Sequence, residues 1–418
     1  MAETIYRASR SRPEVVPAQP RPAVDEPLGK RRRDAAPRGE GASVVDQTPE
    51  RNGRLPRACS EEAWLLSWSA KLEQATDPRY LLANASRCYV GGKFNWSLYD
   101  LESGEVIWGG PSGRGPGCLE PSGGLVLQPD DEGTLRSYLQ EQGSEEFWTS
   151  LFMSSDFRRP YVARIGDTLV LQGQEREQPH GSPHEPELSS LEIWPVGEPR
   201  DVAQNWQLRP GVVEPVLFTT TELLCAGWDR GLVSAEAGRV LRFDLQLSPG
   251  ALLRDTFTPL ALSLDEEGWV YLLVDEGEGE ETRRALWVLD EALTRRLHYP
   301  LPAPLQDTLL AARVGYDHRI LLQGGGQLLA LEQDGAIAWS RPISPDATPA
   351  ALTPAGEALL CEGQEVVAFD ASGQRRVLHR CEEPLVTTPI TTTSGRLLVA
   401  SAQQLFCLIP LPLEEQAG

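Results

Sequence analysis

The sequence lacks several features that would indicate a membrane, secreted or metal-binding protein. No apolar run approaches the roughly 18 residues that a membrane-spanning helix needs, and the first residues lack the apolar core of a secretory signal. The seven cysteines are scattered and never stand at C-x-x-C spacing, which argues against a disulfide framework and a structural zinc site. We therefore expect a cytoplasmic protein with reduced, mostly apolar-facing cysteines and no cofactor.

Methionine and lysine are also scarce, with 2 and 3 residues, whereas glycine and proline are plentiful, with 38 and 34. This composition indicates many short elements joined by turns. The net charge is −21, but residues 1–57 carry 12 basic and 8 acidic side chains, so the remainder has a net charge of −25. A body this acidic repels phosphates and anionic lipids, and we expect neither nucleic acid nor a membrane as a partner.

Residues 1–57 have scattered proline, no hydrophobic period and a basic run at 30–33. Such a segment cannot bury enough apolar surface to offset the entropy of ordering, so it is predicted to be a disordered basic tail. The basic run is either a solvated charge cluster or an electrostatic tether for acidic partners or for the acidic body. The remaining residues, 58–418, are predicted to form a single domain.

A short pattern recurs after residue 60 and indicates a repeat. In "SLYDLESGEVIWGG" (97–110), an apolar strand leads to an aspartate, a glycine turn and a tryptophan four residues after the glycine. The same pattern, complete or in part, recurs downstream. The residues that carry it are Asp100, Gly104, Trp108, Gly143, Trp148, Gly335, Trp339, Asp370 and Gly373.

Each unit reads as four short strands joined by tight turns, which is an antiparallel meander. Unit starts near residues 78, 116, 158, 210, 257, 307, 346 and 385 give a mean spacing of roughly 44 residues, the spacing of four-stranded propeller blades. The sequence therefore predicts an all-β fold, an eight-bladed β-propeller. Because the units at 158–207 and 257–303 are degenerate, seven blades is the alternative.

The last unit, 385–412, has only three clear strands, while residues 61–73 precede the first unit as a lone strand containing Trp64 and Trp68. An unclosed ring would leave exposed strand edges. We therefore predict that 61–73 is a closing strand that pairs with the last blade.

The recurring residues have structural tasks in this interpretation. Glycine permits a backbone angle that other residues avoid, the tryptophan covers the face between neighbouring blades, and the aspartates accept hydrogen bonds from turn N–H groups. The stretch "DLESGEVIW" (100–108) resembles the tryptophan-docking repeat of the quinoprotein (PQQ-like) propellers, with Leu98 at the place where the family has alanine. The resemblance covers roughly residues 61–412 as architecture.

The resemblance implies a scaffold rather than the quinoprotein activity. Quinoprotein dehydrogenases hold their quinone under a disulfide between adjacent cysteines, with calcium bound by nearby carboxylate and amide ligands, and this chain has no adjacent cysteines and no recognisable ligand set. The repeat also occurs in non-enzymatic relatives such as the outer-membrane assembly lipoprotein. Fold and function are separable in such families.

Candidate chemical groups are few. His180 and His184, in "PHGSPHEPE", lie near carboxylates and could bind a metal, although a solvated surface loop is the simpler interpretation. The remaining histidines, His298, His318 and His379, are isolated in the sequence and define no catalytic constellation.

The sequence leaves two hypotheses for function. The first is a non-enzymatic cytoplasmic scaffold for protein partners, and its size and architecture are compatible with the stand-alone propellers that accompany a MoxR-type AAA+ ATPase and a von Willebrand A protein. The alternative is an enzyme or a small-molecule or metal sensor with its ligand at the mouth of the propeller channel.

Overall fold

A computed structural model describes the strands between residues 64 and 411, with side-chain surroundings in 64–72, 81–110 and 257–411 apart from short gaps. The predicted tail at 1–57 lies outside the described residues. The described strands form eight four-stranded sheets, and all pairing is between antiparallel neighbours. We number these sheets 1 to 8 in chain order.

Sheets 1 to 4 follow one another along the chain. Sheet 1 consists of β2 (Pro78–Ala83), β3 (Arg87–Gly92), β4 (Asn95–Asp100) and β5 (Val106–Pro111). Sheet 2 consists of β6 (Cys118–Leu119), β7 (Leu125–Pro129), β8 (Thr134–Leu139) and β9 (Glu145–Ser150). Sheet 3 consists of β10 (Phe157–Ile165), β11 (Thr168–Glu175), β12 (Leu188–Pro195) and β13 (Gln204–Leu208). Sheet 4 consists of β14 (Leu217–Phe218), β15 (Glu222–Arg230), β16 (Glu236–Asp244) and β17 (Pro249–Asp255).

Sheets 5 to 7 repeat this order. Sheet 5 consists of β18 (Phe257–Leu264), β19 (Val270–Glu276), β20 (Arg283–Leu289) and β21 (Arg295–Pro300), and the short helix α1 (Ala303–Asp307) follows it. Sheet 6 consists of β22 (Leu309–Val314), β23 (Ile320–Gly324), β24 (Gln327–Leu331) and β25 (Ile337–Pro342). Sheet 7 consists of β26 (Ala351–Leu352), β27 (Ala358–Glu362), β28 (Glu365–Phe369) and β29 (Arg375–Arg380). The degenerate units at 158–207 and 257–303 thus form sheets 3 and 5.

Sheet 8 combines the two ends of the described chain. It consists of β30 (Ile390–Thr391), β31 (Leu397–Ala400), β32 (Gln404–Pro410) and β1 (Trp64–Lys71). The register of β1 against β32 runs from Trp64 opposite Pro410 to Lys71 opposite Gln404. The residues of the predicted closing strand that the structure describes therefore supply the outer strand of the last sheet.

The first strand of a sheet contacts the first strand of the neighbouring sheet. The contacting pairs are β2 with β6, β2 with β30, β14 with β18, β18 with β22 and β22 with β26. Middle strands such as β23 and β28 are buried along almost their whole length. These two strands read as continuous apolar runs, because each of them packs against a neighbouring sheet on both faces. Outer strands such as β29 alternate between covered and exposed positions instead.

The described core consists of clusters between sheets. One cluster joins sheets 7, 8 and 1, with Leu359, Phe406 and Tyr99 among its members. Of the helices in the described ranges, none has the length and apolar character needed to cross a bilayer.

Candidate functional site

The predicted glycine and tryptophan positions meet between sheets rather than within one sheet. Trp339, on the outer strand of sheet 6, packs on Gly373 in the last turn of sheet 7, and its indole nitrogen donates a 3.1 Å hydrogen bond to the carbonyl of Ala371. Trp68 does the same on sheet 1, packing on Gly104 and donating a 3.1 Å bond to the carbonyl of Leu101. Each tryptophan therefore fastens its own sheet to the turn of the next sheet.

The turn glycines adopt the backbone conformation that the sequence pattern requires. The φ angles of Gly104, Gly335 and Gly373 are 74°, 83° and 78°, in the region that side-chain-bearing residues avoid. Gly335 receives Leu297 of sheet 5, since a Cβ at Gly335 would lie 3.0 Å from the Cδ1 atom of Leu297. A leucine therefore takes the tryptophan's place at this junction.

A β-bulge stands directly before the docking side chain in several outer strands. In β5 the register passes from Val106 opposite Tyr99 to Trp108 opposite Leu98, and β25 shifts in the same way before Trp339. In β25 the extra residue re-aims the strand just before Trp339, whose indole docks on the turn of sheet 7. Trp108 also packs edge-on against Trp96 of its own sheet, with ring centroids 4.6 Å apart.

The register of sheet 2 differs from the predicted spacing by one residue. Phe147 lies opposite Ser137, the position that corresponds to Trp108 in sheet 1, and Trp148 follows one residue later opposite Arg136. The sequence already indicates a unit stretched by one residue, because Trp148 follows Gly143 by five positions instead of four. Gly143 lies outside the described residues.

The two predicted aspartates cap their turns. Oδ1 of Asp100 accepts hydrogen bonds from the N–H groups of Glu102 and Ser103, at 3.0 and 2.9 Å, and Oδ2 pairs with Arg87 at 2.6 Å. The backbone bond from Ser103 is the main cause of a pKa for Asp100 below its ordinary value.

Asp370 makes equivalent contacts with the N–H groups of Ser372 and Gln374, at 2.8 and 2.9 Å. The Ser372 hydroxyl also donates to its carboxylate and is the main cause of a lowered pKa for Asp370. Both carboxylates are engaged locally in their turns.

The predicted metal loop, His180 and His184, lies outside the described residues. Among the residues that the structure does describe, no group of three or more histidine, cysteine, aspartate or glutamate side chains could hold a metal ion. The residues that the structure describes therefore contain no metal centre with which the predicted loop can be compared.

A buried polar cluster of Asp265, His318 and Tyr271, at the junction of sheets 5 and 6, was missed by the sequence reasoning. Asp265 and His318 are 0% and 1% exposed, and the Nδ1 atom of His318 lies 3.5 Å from Oδ2 of Asp265. Oδ2 also accepts a 3.0 Å hydrogen bond from the Tyr271 hydroxyl, and Oδ1 accepts backbone bonds from Glu267 and Trp269, at 3.0 and 2.9 Å. The cluster joins two sheets through a carboxylate that water does not reach.

His318 occupies a turn position that is glycine in equivalent turns. Its N–H donates to the carbonyl of Gly315, three residues earlier. In the equivalent turns of other sheets a glycine makes this bond, and these glycines are Gly268, Gly356 and Gly395. Its φ is 60°, and a non-glycine residue in this region stores strain. The signal that could have identified His318 is therefore a histidine at a repeat position of glycine, not its distance in sequence from other polar residues.

Charged clusters also link acidic side chains on middle strands to basic side chains on outer strands. Glu365 pairs with Arg380 and with Arg375, the latter at 2.7 Å, and these donors hold the pKa of Glu365 below its ordinary value, with the Arg380 bond the largest cause. In sheet 5, Glu276 accepts a 2.6 Å hydrogen bond from the Trp287 indole and lies 2.9 Å from His298. These contacts give the acidic side chains local partners.

The exposed large apolar side chains concentrate on outer strands. Five of the six lie there, namely Leu65, Leu66, Val106, Ile337 and Val377, and the sixth is Val386. Residues 65–71 of β1, which we call the β1 edge, have Leu65 and Leu66 at 46% and 48% exposure. These side chains are exposed to solvent. Within the part of the chain that the structure describes, the outer strands therefore carry most of the exposed apolar surface.

No family model and no curated protein matches this sequence. Among solved structures, BamB from Moraxella catarrhalis is similar with 12% identity over 83% of this chain and 99% of that chain, at a TM-score of 0.54. The quinohemoprotein alcohol dehydrogenase from Comamonas testosteroni has 12% identity over 90% and 81%, at 0.59. Sqt1 from Saccharomyces cerevisiae has 10% identity over 83% and 100%, at 0.57.

These likenesses concern the fold alone, because the identities are low. The chain has an all-β propeller architecture of four-stranded antiparallel sheets, and propellers of the PQQ type are among its structural neighbours. The architectural part of the sequence resemblance is thereby confirmed. Dehydrogenases stand beside proteins whose names state no enzyme activity, so the fold does not select a function.

Proposed function

We propose that this protein is a non-enzymatic scaffold that binds protein partners, built on a closed ring of eight blades. The observation that carries the functional part is the distribution of exposed apolar side chains over the outer strands, with adjacent exposed leucines on β1. Adjacent exposed apolar side chains with polar residues around them are typical of protein interaction sites. The carboxylates of Asp100, Glu365 and Asp265 are engaged in a turn, in ion pairs and at the junction between sheets, respectively.

The ring itself is part of this proposal. Its support is the set of eight sheets, the contact of β2 with both β6 and β30, and the packing of Trp68 from sheet 8 on the turn of sheet 1. A closed ring removes the unpaired faces that a terminal sheet would otherwise leave. It would also give partners a rigid surface.

The proposed partners are an AAA+ ATPase of the MoxR type and a von Willebrand A protein. Their support is the compatibility of a stand-alone propeller of this size with such systems. The proposed location is the cytoplasm, supported by the free thiols of Cys88, Cys361, Cys381 and Cys407. The basic run at 30–33 would add an electrostatic tether to an acidic partner.

The test is a native pull-down of the full-length protein from its host, beside a version lacking residues 1–57, with bound proteins and small molecules both identified by mass spectrometry. Purified candidates are then recombined and their stoichiometry measured by light scattering after size exclusion. A partner that re-forms a stoichiometric complex supports the scaffold. Recovery of the protein with a small ligand or metal, and no protein partner, would instead favour the channel-mouth enzyme or sensor.

A further inference from the structure

The β1 edge is the outermost strand segment of sheet 8. The sheet order places β1 at the end, next to β32 alone. Within the described residues, the backbone hydrogen bonds of residues 65–71 that the structure gives run to β32. The opposite side of the strand is a sheet edge, and such an edge can accept another extended chain.

The other outer strands with described side chains carry the usual obstacles to such pairing. Charged or proline residues lie inside each of these strands or at its end: Pro111 ends β5, Arg295, Arg296 and Pro300 belong to β21, Arg341 and Pro342 end β25, and Arg375, Arg376 and Arg380 belong to β29. These residue types discourage the addition of a strand, because a charge opposes apolar docking and a proline lacks the N–H donor. The β1 strand has seven consecutive residues without charge or proline, from Trp64 to Ala70, before it ends at Lys71, and its register shifts at a bulge between Leu66 and Trp68.

A turn with exposed carboxylates lies beside Trp68 of the β1 edge. Basic side chains are also near, because Lys71 ends the strand and the contacting strand β29 carries Arg375 and Arg380, but these two arginines are paired with Glu365. Trp68 packs on the turn containing Gly104, and this turn also carries the exposed carboxylates Glu102 and Glu105. The chain as a whole has a net charge of −21. A strand with lysine or arginine between apolar residues would find the leucines and the carboxylates together, whereas a second copy of this chain would bring like charges together.

We propose that the β1 edge binds an extended segment of a partner protein, with apolar residues at alternate positions and basic residues between them. This inference rests on the proposed scaffold function and names the chemistry of the bound segment. Backbone hydrogen bonds to residues 65–71 supply the pairing, Leu65 and Leu66 receive apolar side chains, and Glu102 and Glu105 select the basic ones.

The first experiment measures binding of a fluorescent peptide of alternating valine and lysine to the full-length protein by anisotropy. A peptide with N-methyl groups on alternate residues keeps the side chains but cannot pair along the edge. A third peptide has glutamate in place of lysine. We expect each control peptide to bind about tenfold more weakly or worse. Equal binding of the N-methylated peptide would overturn the inference.

The location is tested with two matched variants. Leu66→Arg places a charge on the β1 edge, two residues before Trp68, and Ile337→Arg places the same charge on β25, two residues before Trp339. Both change the net charge equally. We expect a loss of about tenfold in peptide affinity for Leu66→Arg only. The same loss in both variants would remove the β1 edge as the site. Should Leu66→Arg fail to fold, Glu102→Lys with Glu105→Lys must weaken binding of the lysine peptide instead.

Hydrogen exchange distinguishes other occupants of the edge. In the free protein we expect fast exchange at those amides of residues 65–71 that do not bond to β32, and slower exchange when the peptide is added. Protection that is independent of protein concentration would mean that this chain covers its own edge. Protection that grows with concentration would mean a second copy. Either result overturns the proposal. A reconstituted partner complex that still forms with Leu66→Arg would overturn the β1 edge as the binding site and leave the scaffold function intact.

Discussion

Trp339 covers Gly373 so closely that a Cβ atom at Gly373 would lie 2.7 Å from Cδ2 of the indole ring. The two residues belong to successive sheets, and the hydrogen bond from the indole to the carbonyl of Ala371 fixes the ring over the turn. The glycine is therefore needed twice, for its φ of 78° and for the space that its missing side chain leaves. The repeat motif is a joint between two blades whose halves come from different units.

This joint predicts a large difference between two glycine substitutions. Gly363→Ala changes a residue with φ of 57° and no neighbour within 4 Å of the added Cβ atom, so it should cost only the backbone strain, about 1 kcal/mol. Gly373→Ala adds the clash with Trp339 and should cost about 2 to 4 kcal/mol. Urea-induced unfolding measures both. An equal loss of unfolding free energy in the two variants would show that the Trp339 indole does not pack on the Gly373 turn as described.

The closing strand predicts a difference between two truncations. Removing residues 61–73 deletes β1, exposes β32 and takes Trp68 away from Gly104, so the protein should unfold or associate. Removing residues 1–57 should leave the melting temperature nearly unchanged. Differential scanning fluorimetry and light scattering report both effects. Similar behaviour of the two truncated proteins would contradict the role of β1.

The buried cluster predicts energetic coupling between His318 and Asp265. His318→Gly relieves about 1 kcal/mol of backbone strain but removes the ring beside a buried carboxylate, which costs about 1 to 3 kcal/mol. We therefore expect net destabilisation, although glycine is the residue of the equivalent turns. A double-mutant cycle with Asp265→Asn should give a coupling free energy above about 0.5 kcal/mol. Additive effects would mean that the two groups do not stabilise the junction together.

The turn carboxylates predict a loss of stability in acid. The pKa of Asp370 in the folded protein lies below its ordinary value of 3.8, so its contribution is present above that value and disappears as the pH falls through the folded pKa. Asp370→Asn should be less stable than the parent protein at about pH 7, by less than about 1 kcal/mol because the site is partly solvated, and this difference should shrink at about pH 3. A difference that is constant with pH would exclude a role for the charge.

The described cysteines are predicted to be unreactive in the native state. Cys88, Cys361, Cys381 and Cys407 are buried and free, and burial raises the pKa of Cys381 and of Cys407 to about 11. The reactive thiolate is therefore scarce and shielded near neutral pH. Iodoacetamide labelling followed by peptide mass spectrometry should show these four residues labelled only after unfolding. Rapid labelling of Cys407 in the native protein would contradict its burial between β1 and β31.

Much of the fold could be predicted because the repeat combines two strong local signals. Short apolar strands separated by turn residues give the four-stranded unit, and the glycine at Gly104, Gly335 and Gly373 marks the same turn each time. The prediction was weakest where the glycine is replaced. In sheet 5 that turn has Leu293, at φ of 59° and packed in the core with Phe257 and Trp287, so the unit looked degenerate although its four strands are present.

The sequence by itself determined the local features: the all-β composition, the spacing of the units, and the aspartate, glycine and tryptophan that shape each turn. These depend on backbone preferences within a few residues, and a sequence displays such preferences directly. Only the tertiary structure decided which residues meet. It joined Trp68 to Gly104 and His318 to Asp265, and it left Leu65 and Leu66 exposed on the outer strand of sheet 8. Such contacts depend on how sheets pack and where a bulge shifts the register, which residue type alone does not encode.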